Sequence, residues 1–504
     1  MRNLALLYLI AGVGLWLGSA NTIYHLPPFI LFFPAALYYM GIQAPSRKFV
    51  ITHAFLAGTL GYTLCLYWTA TPLMQTGMPA AVAAPAPIAL SALQAAYGAV
   101  FALFCFQLLK NKSPLVVGSA TALMWGAIEM ARGTFFSGFP WVSVASAFAS
   151  WPEAIQPVSL MGAEAYSGLL AGLGCYLTAA LVASSRKHMV AAVAGFLVVF
   201  STSYTLWQQP VETSGSARIA MVQGNIDQSA KWNRAYQQGT VNRYITLSEQ
   251  VLQKPVDLVI WPETSMPFFM QQSKEFLPYL RRLAVNSNAA YLIGTPGFGP
   301  GTNGREWDVY NRAYLIESDG VMRKWYDKVH LVPFGEYIPF DLDISYFGDL
   351  LSGSGTFRPG KTYAPITVDN LALGVLICYE TIFTELAQQR VSDGANVLIN
   401  ISNDAWFGDT SAPKQHLDLA VLRAIEQERF IARATNTGIS AIIDPKGNII
   451  THGKSFRADV VFGTVNTNEN HTVYHHLFSI IRWILMLGGA ALLGYSFFTY
   501  KKND

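Results

Sequence analysis

Seven stretches of about 20 apolar residues precede residue 210, near 4–20, 24–42, 49–70, 80–109, 114–131, 158–184 and 189–207, and an eighth lies near 477–499. A helix needs about 20 such residues to cross a hydrocarbon layer about 30 Å thick. Charge follows the same division. Of 65 charged residues in 504 (34 basic, 31 acidic), only 11 fall within residues 1–210. One soluble domain is excluded, and so is a disordered or fibrous chain. The expected fold class is a polytopic α-helical membrane bundle of about eight spans joined to a water-exposed α/β domain. Residues 1–210 hold seven spans, 211–470 the polar domain, and 471–504 the last span with a short tail. The first run reads as a retained helix rather than a signal peptide, because further spans follow at once.

The few loop charges orient these spans. Arg2, Arg47, Lys48, Lys110, Lys112, Arg186, Lys187, Lys501 and Lys502 fall on one side, and the opposite loops carry only Arg132 among basic residues. By the positive-inside rule the first set faces the cytoplasm, which puts the polar domain outside it. A net charge of +3, concentrated in short loops, gives no footprint for nucleic acid. Glu129 and Glu164 sit close to the outer ends of their spans, so interfacial solvation is expected for both. The aromatic stretch 132–157 reads equally as a re-entrant piece or a surface-lying one.

Within residues 217–468 strand-like and helix-like patterns alternate. Strands are expected near 217–225, 256–263, 289–295, 309–317, 372–379, 395–402, 437–443 and 459–465. Helices are expected near 229–253, 273–287, 381–391 and 413–433; the last is amphipathic, with Leu417, Val421, Ala424, Ile425 and Ala432 on one face. The order implies a layered α/β domain. The stretch 332–365, rich in glycine and proline, is long enough to be a lid or binding loop.

Four cysteines are present, and Cys378 is the one outside the apolar runs. It ends the strand Leu373–Cys378 just before a helix expected at Thr381. A cysteine ending an apolar strand is more often core filler. A helix N-terminus beside it, however, favours the thiolate and offers backbone N–H groups to an oxyanion. Glu263 ends the strand Val256–Glu263 and reads either as a general base or as a surface turn. Lys328, flanked by aromatic and apolar residues, reads as a partly desolvated ammonium or as an ordinary surface lysine.

The three together are more specific. Trp261-Pro262-Glu263, then Asp327-Lys328-Val329-His330-Leu331-Val332-Pro333-Phe334-Gly335-Glu336, then Ile377-Cys378-Tyr379-Glu380 resembles the Glu-Lys-Cys constellation of the nitrilase, or carbon–nitrogen hydrolase, superfamily. Ile401-Ser402-Asn403-Asp404-Ala405-Trp406-Phe407-Gly408 is similar to a later segment of that superfamily. A domain of this kind placed between span seven and span eight resembles the layout of the apolipoprotein N-acyltransferase family. The resemblance implies an αββα sandwich with Glu263 as base, Lys328 as oxyanion stabiliser and Cys378 as nucleophile. It also implies supporting or substrate-binding roles for Trp232, Glu336, Tyr379 and Glu380. The implied activity is ping-pong transfer of an acyl chain, through a thioester, from the sn-1 position of a phospholipid to an apolipoprotein. Phosphatidylethanolamine is the expected donor, and the acceptor is the α-amino group of the N-terminal diacylglyceryl-cysteine. No cofactor or metal and no nucleic acid is implied. The expected setting is the bacterial inner membrane, with a monomeric chain whose catalytic domain is periplasmic. Phe268, Phe269 and Met270 either line an acyl entrance or simply pack.

Other signals carry less. Gly299-Pro300-Gly301-Thr302-Asn303-Gly304 fits a dinucleotide-binding spacing but opens no expected helix. His471, His475 and His476 lack a carboxylate or cysteine at metal-ligand spacing. Two rival readings remain at this stage. A membrane-tethered amidase or nitrilase would use the same triad to hydrolyse C–N bonds, but needs one anchor rather than eight spans. A transporter with a regulatory domain calls for charged or broken mid-membrane helices.

Overall fold

In the computed structural model the described residues are 4–231, 234–302, 304, 306–337 and 357–503. Among them, six helices are long and apolar enough to cross a membrane: Arg47–Gln75, Ala80–Leu109, Pro114–Ser137, Val158–Val182, Arg186–Gln208 and Val473–Lys501. The first two expected spans are shorter helices, Leu4–Gly18 and Phe32–Gln43, of 15 and 12 residues. At 1.5 Å per residue they reach only about 22 and 18 Å. Both pack into the bundle through Leu15, Phe33 and Leu37. Eight is therefore an approximate count of spans.

The helices approach closely where side chains are small, as membrane packing requires when no hydrophobic gradient drives association. At Gly168 a Cβ would stand 2.3 Å from the Ala122 carbonyl. Helix Val158–Val182 breaks near its start at Gly162, at φ 78°. The Ala163 N–H next to this break donates to Glu426 Oε1 of the polar domain at 3.0 Å.

The domain contains two six-stranded sheets. Strands β1 (Gly215–Gln223), β2 (Leu258–Trp261), β3 (Ala290–Pro300), β4 (Trp307–Ile316), β5 (Met322–Asp327) and β12 (Asp459–Thr467) form one, in the order β12-β1-β2-β3-β4-β5. Strands β6 (Ile366–Val368), β7 (Leu371–Ile377), β8 (Val397–Ser402), β9 (Ile431–Thr435), β10 (Ala441–Ile443) and β11 (Ile449–His452) form the other, ordered β11-β10-β9-β8-β7-β6. The central trios β1-β2-β3 and β7-β8-β9 are parallel. Their strands are mostly buried because both faces are covered. Ile219, Leu258, Ile260 and Leu292 of the first sheet meet Leu373, Val375, Ile399 and Ala432 of the second in a shared core. Helices Arg234–Glu249 and Phe276–Ser287 cover the outer face of the first sheet. Helices Thr384–Ser392 and Ala412–Gln427 cover the second, which completes the αββα sandwich.

The second helix layer packs against the bundle. Its apolar residues, among them Ala387, Leu417 and Leu422, belong to one cluster with Leu15, Phe33 and Tyr166 of the bundle. This explains why helix Ala412–Gln427 is buried all round, Arg423 and Glu426 included. The helix also ends earlier than its pattern suggests. Glu428 takes a left-handed φ of 46°, and Ala432, expected on the helix face, lies in β9.

The stretch 132–157 proves to be the seam. Trp141, Val144, Ala145 and Phe148 are buried between bundle and domain, and the Ser137 carbonyl lies 3.0 Å from His330 Nε2. Glu129 departs from the expected solvation: it is 4% exposed and accepts hydrogen bonds from Trp125 Nε1 at 2.9 Å and the Val144 N–H at 3.0 Å. The folded-over seam segment covers a carboxylate that a span drawn alone would leave at the interface. Glu164 stays partly exposed and pairs with Arg482 of the last span at 3.7 Å.

Candidate active site

Glu263 follows β2 by two residues, Lys328 follows β5 directly and Cys378 follows β7 directly. The carboxyl ends of parallel strands leave a crevice between the helices that follow, where ligands of open α/β folds bind. The two sheets here present that end together.

Lys328 is buried, and its Nζ lies 2.9 Å from Glu336 Oε2 and 3.7 Å from Glu263 Oε1. Burial lowers the ammonium's pKa, but the Glu336 and Glu263 charges outweigh it, and the net shift is upward. Lys328 therefore stays charged. Glu263 is fixed at both oxygens: Oε1 accepts from Asn311 Nδ2 at 2.7 Å, and Oε2 from the Asn403 N–H at 2.9 Å. The same Asn311 amide donates to Glu336 Oε1 at 2.8 Å. One neutral side chain thus separates two carboxylates that would otherwise repel.

Cys378 is partly buried and lies within electrostatic reach of both Glu263 and Lys328. Burial pushes its thiol well up, Glu263 adds to this, and Lys328 opposes. The expectation of a thiol lowered by a helix N-terminus is not met. Cys378 opens a 3₁₀ turn, Cys378–Ile382, and the α-helix begins only at Thr384. Cys378 itself adopts φ 51°, a left-handed conformation that costs an L-residue about 1–2 kcal/mol. Burial thus favours the protonated thiol.

The supporting candidates take different places. Glu336 belongs to the charged cluster, and its Oε2 also accepts the Val332 N–H at 2.8 Å. Glu380 lies beneath the cluster, fully buried. Its Oε1 accepts from Tyr326 Oη, the Val329 N–H and the His330 N–H, and its Oε2 from the Ile377 N–H. It therefore clamps the Lys328 segment to the Cys378 turn. Tyr379 points to the seam and donates from Oη to the Gly138 carbonyl at 2.6 Å. Trp232 lies outside the described residues, as do residues 338–356 of the expected lid. Met270 is fully buried and Phe268 packs on Phe276, which gives both a packing role.

Sequence reasoning missed four residues. Asn311 sits beside Arg312 in β4, so its polarity gave no signal of its own. Asn403 acts through its backbone, which no side-chain pattern reveals. Lys231 is buried, with Nζ 3.3 Å from the Glu263 carbonyl; burial pulls its ammonium down to about 7 against the opposing charges of Glu263 and Cys378. His416 lies under the Cys378 turn, with Nε2 3.1 Å from the Cys378 carbonyl. Among the described residues no group of three or more His, Cys, Asp or Glu side chains is arranged to hold a metal ion.

A two-sheet sandwich with a buried carboxylate, ammonium and thiol at its strand ends, fused to membrane helices, defines a carbon–nitrogen hydrolase domain adapted to a bilayer. The family described as carbon–nitrogen hydrolase matches residues 218–471, and the apolipoprotein N-acyltransferase N-terminal domain matches residues 11–176. The apolipoprotein N-acyltransferase of Geobacter metallireducens is 31% identical over 466 residues, covering 91% of this chain and 88% of that protein. The Pseudomonas putida protein of that name is 30% identical over 95% of this chain and 94% of its own. The one from Neisseria meningitidis serogroup A is 32% identical over 85% and 84%. The chain belongs to the apolipoprotein N-acyltransferase family. Because the likeness runs through the membrane helices as well as the domain, the amidase and transporter readings are not favoured.

Proposed function

We propose that the chain transfers an acyl group from a membrane phospholipid to the N-terminal amine of a lipidated apolipoprotein. The observation that carries this reading is a thiol, a fixed carboxylate and a buried ammonium gathered where the domain is fused to the bundle. That is where a lipid ester can reach them.

The first half-reaction begins with a neutral thiol. Glu263 takes the Cys378 proton as sulfur attacks the sn-1 ester carbonyl. Lys328 and the Tyr379 N–H stabilise the tetrahedral oxyanion, preorganised donors of the kind that supply most of the rate in acyl transfer. The intermediate collapses to a thioester, and the departing lysophospholipid alkoxide takes the proton from Glu263. In the second half the free α-amine of the acceptor attacks the thioester. Glu263 accepts the amine's proton and passes it to the departing thiolate, which restores Cys378. Phosphatidylethanolamine is the proposed donor, and the chain acts as a monomer in the bacterial inner membrane with the domain on the periplasmic side. The one-sided distribution of loop lysines and arginines supports that orientation.

The test is incubation of the purified full-length protein with phospholipid labelled in its sn-1 chain, without acceptor. The expected result is a hydroxylamine-labile adduct on Cys378 that is absent from Cys378→Ser and is cleared by a diacylated peptide with a free amine. An active wild-type enzyme that forms no adduct would sink the mechanism.

A further inference from the structure

Cys378 holds a backbone conformation that side chains disfavour, at φ 51°, and its carbonyl oxygen has a buried partner. His416 Nε2 stands 3.1 Å from it. A carbonyl only accepts, so Nε2 carries the proton. The other ring nitrogen, Nδ1, is 3.1 Å from Arg433 Nη2 and 3.2 Å from Asp404 Oδ1. Arg433 Nη2 also donates to Asp404 Oδ2 at 2.7 Å, and Ser402 Oγ donates to Asp404 Oδ1 at 2.7 Å. All four side chains are fully buried or nearly so. Burial and the Arg433 charge push the imidazole's pKa down, against the Asp404 carboxylate that opposes them; Nε2 keeps its proton toward the Cys378 carbonyl.

The ring is packed from the seam side as well. Trp141 of the seam packs against it with centroids 5.5 Å apart at 34°. The neighbouring Gln415 is held by the bundle: its Oε1 accepts from Trp68 Nε1 at 3.0 Å and Trp141 Nε1 at 2.9 Å. Its Nε2 donates to the Ala20 carbonyl at 2.8 Å and the Cys65 carbonyl at 3.2 Å.

The carbonyl that His416 grips belongs to the same planar peptide unit as the Tyr379 N–H. A hydrogen bond that fixes the oxygen therefore fixes the direction of the N–H on the opposite edge, and polarises it as a donor. We propose that His416 is a positioning residue for the acylation step: it holds the Cys378–Tyr379 peptide so that the Tyr379 N–H faces the oxyanion and the thiol keeps its strained presentation. Asp404 and Arg433 keep the ring in place, and Gln415 anchors its helix to the membrane helices. This rests on the reading of Cys378 as the nucleophile.

Single-turnover acylation of the full-length protein by labelled phospholipid tests it. His416→Leu removes the donor, and a fall of about 100-fold in the acylation rate is expected with little change in KM, the scale of loss that follows small misplacements of reacting groups. His416→Gln keeps an N–H able to reach the same carbonyl and is expected to recover at least about tenfold of that loss. Wild-type acylation in His416→Leu, or a Gln variant no better than Leu, would overturn the inference. If His416→Leu fails to fold, His416→Gln decides alone: acylation within about tenfold of wild type supports the proposal, and a folded protein with a larger loss overturns it. Mapping the wild-type adduct separates the two readings. An adduct away from Cys378 overturns the nucleophile assignment itself, whereas an adduct on Cys378 with an unaffected His416→Leu overturns this inference alone.

Discussion

At Cys378 two influences compete, and burial prevails over the neighbouring ammonium. A thiol whose pKa lies well above its ordinary 9.0 is protonated at neutral pH, so its thiolate fraction climbs with pH. Alkylation of Cys378 by iodoacetamide, followed by mass spectrometry, is expected to rise about tenfold per unit from about pH 7 to 9. A plateau below about pH 8 would mean that the thiolate is already formed. Asn311 offers a second test at this scale. Asn311→Ala leaves Glu263 and Glu336 without their shared donor, and a loss of about 10- to 100-fold in single-turnover acylation is expected with the fold retained. Asn311→Asp adds a third negative charge and should lose more; acylation equal to wild type in both would remove Asn311 from the mechanism. For Lys328→Ala, slowed acylation in a protein that still folds and inserts is expected, and an unimpaired rate would remove Lys328 as well.

Among the elements, the fit between β3 and the end of β2 decides where Glu263 stands. A Cβ on Gly294 would lie 2.4 Å from the Pro262 carbonyl and 2.7 Å from Glu263 Cα. Gly294→Ala must therefore push the Glu263 turn outward, at a cost of about 1–3 kcal/mol. A lower melting temperature together with slower acylation is the expected outcome, and a variant unchanged in both would show that the turn yields freely. Element type was legible where the run was unbroken and apolar, as in β2 and β7. It was misread at β9, because Ile431-Ala432-Arg433-Ala434-Thr435 continues a helical pattern. It becomes a strand because Glu428 turns left-handed and β8 and β10 supply ladder partners on both sides. Strands β5, β6 and β11 lacked a strong pattern for a related reason: their partners, not their own residues, make them strands.

For the whole molecule, the bundle and the domain form one packed body. Gln415 carries four hydrogen bonds into the bundle. Gln415→Leu should strand Trp68 and Trp141 as buried donors, each costing about 1–3 kcal/mol. Thermal unfolding in detergent is expected to show a clearly lowered midpoint, and an unchanged midpoint would mean that the seam is held by its apolar contacts. Orientation is tested on spheroplasts with an amine reagent that cannot cross the membrane. Labelling of the exposed Lys254 but not of the exposed Lys110 is expected, and the reverse would overturn the proposed topology.

Apolar run length and loop charge, read along the chain alone, determined that this protein lives in a membrane and which segment stands outside the apolar part. They are one-dimensional properties that hydrophobic transfer makes decisive. The order of Glu263, Lys328 and Cys378 likewise singled out the candidate site. Only the tertiary structure decided the environment of that site: that the thiol is raised rather than lowered, that Asn311 separates two carboxylates, that Glu129 is buried under the seam, and that His416 meets the Cys378 carbonyl. Desolvation and hydrogen bonding depend on which groups meet across elements 30 to 350 residues apart, and no local pattern encodes that meeting.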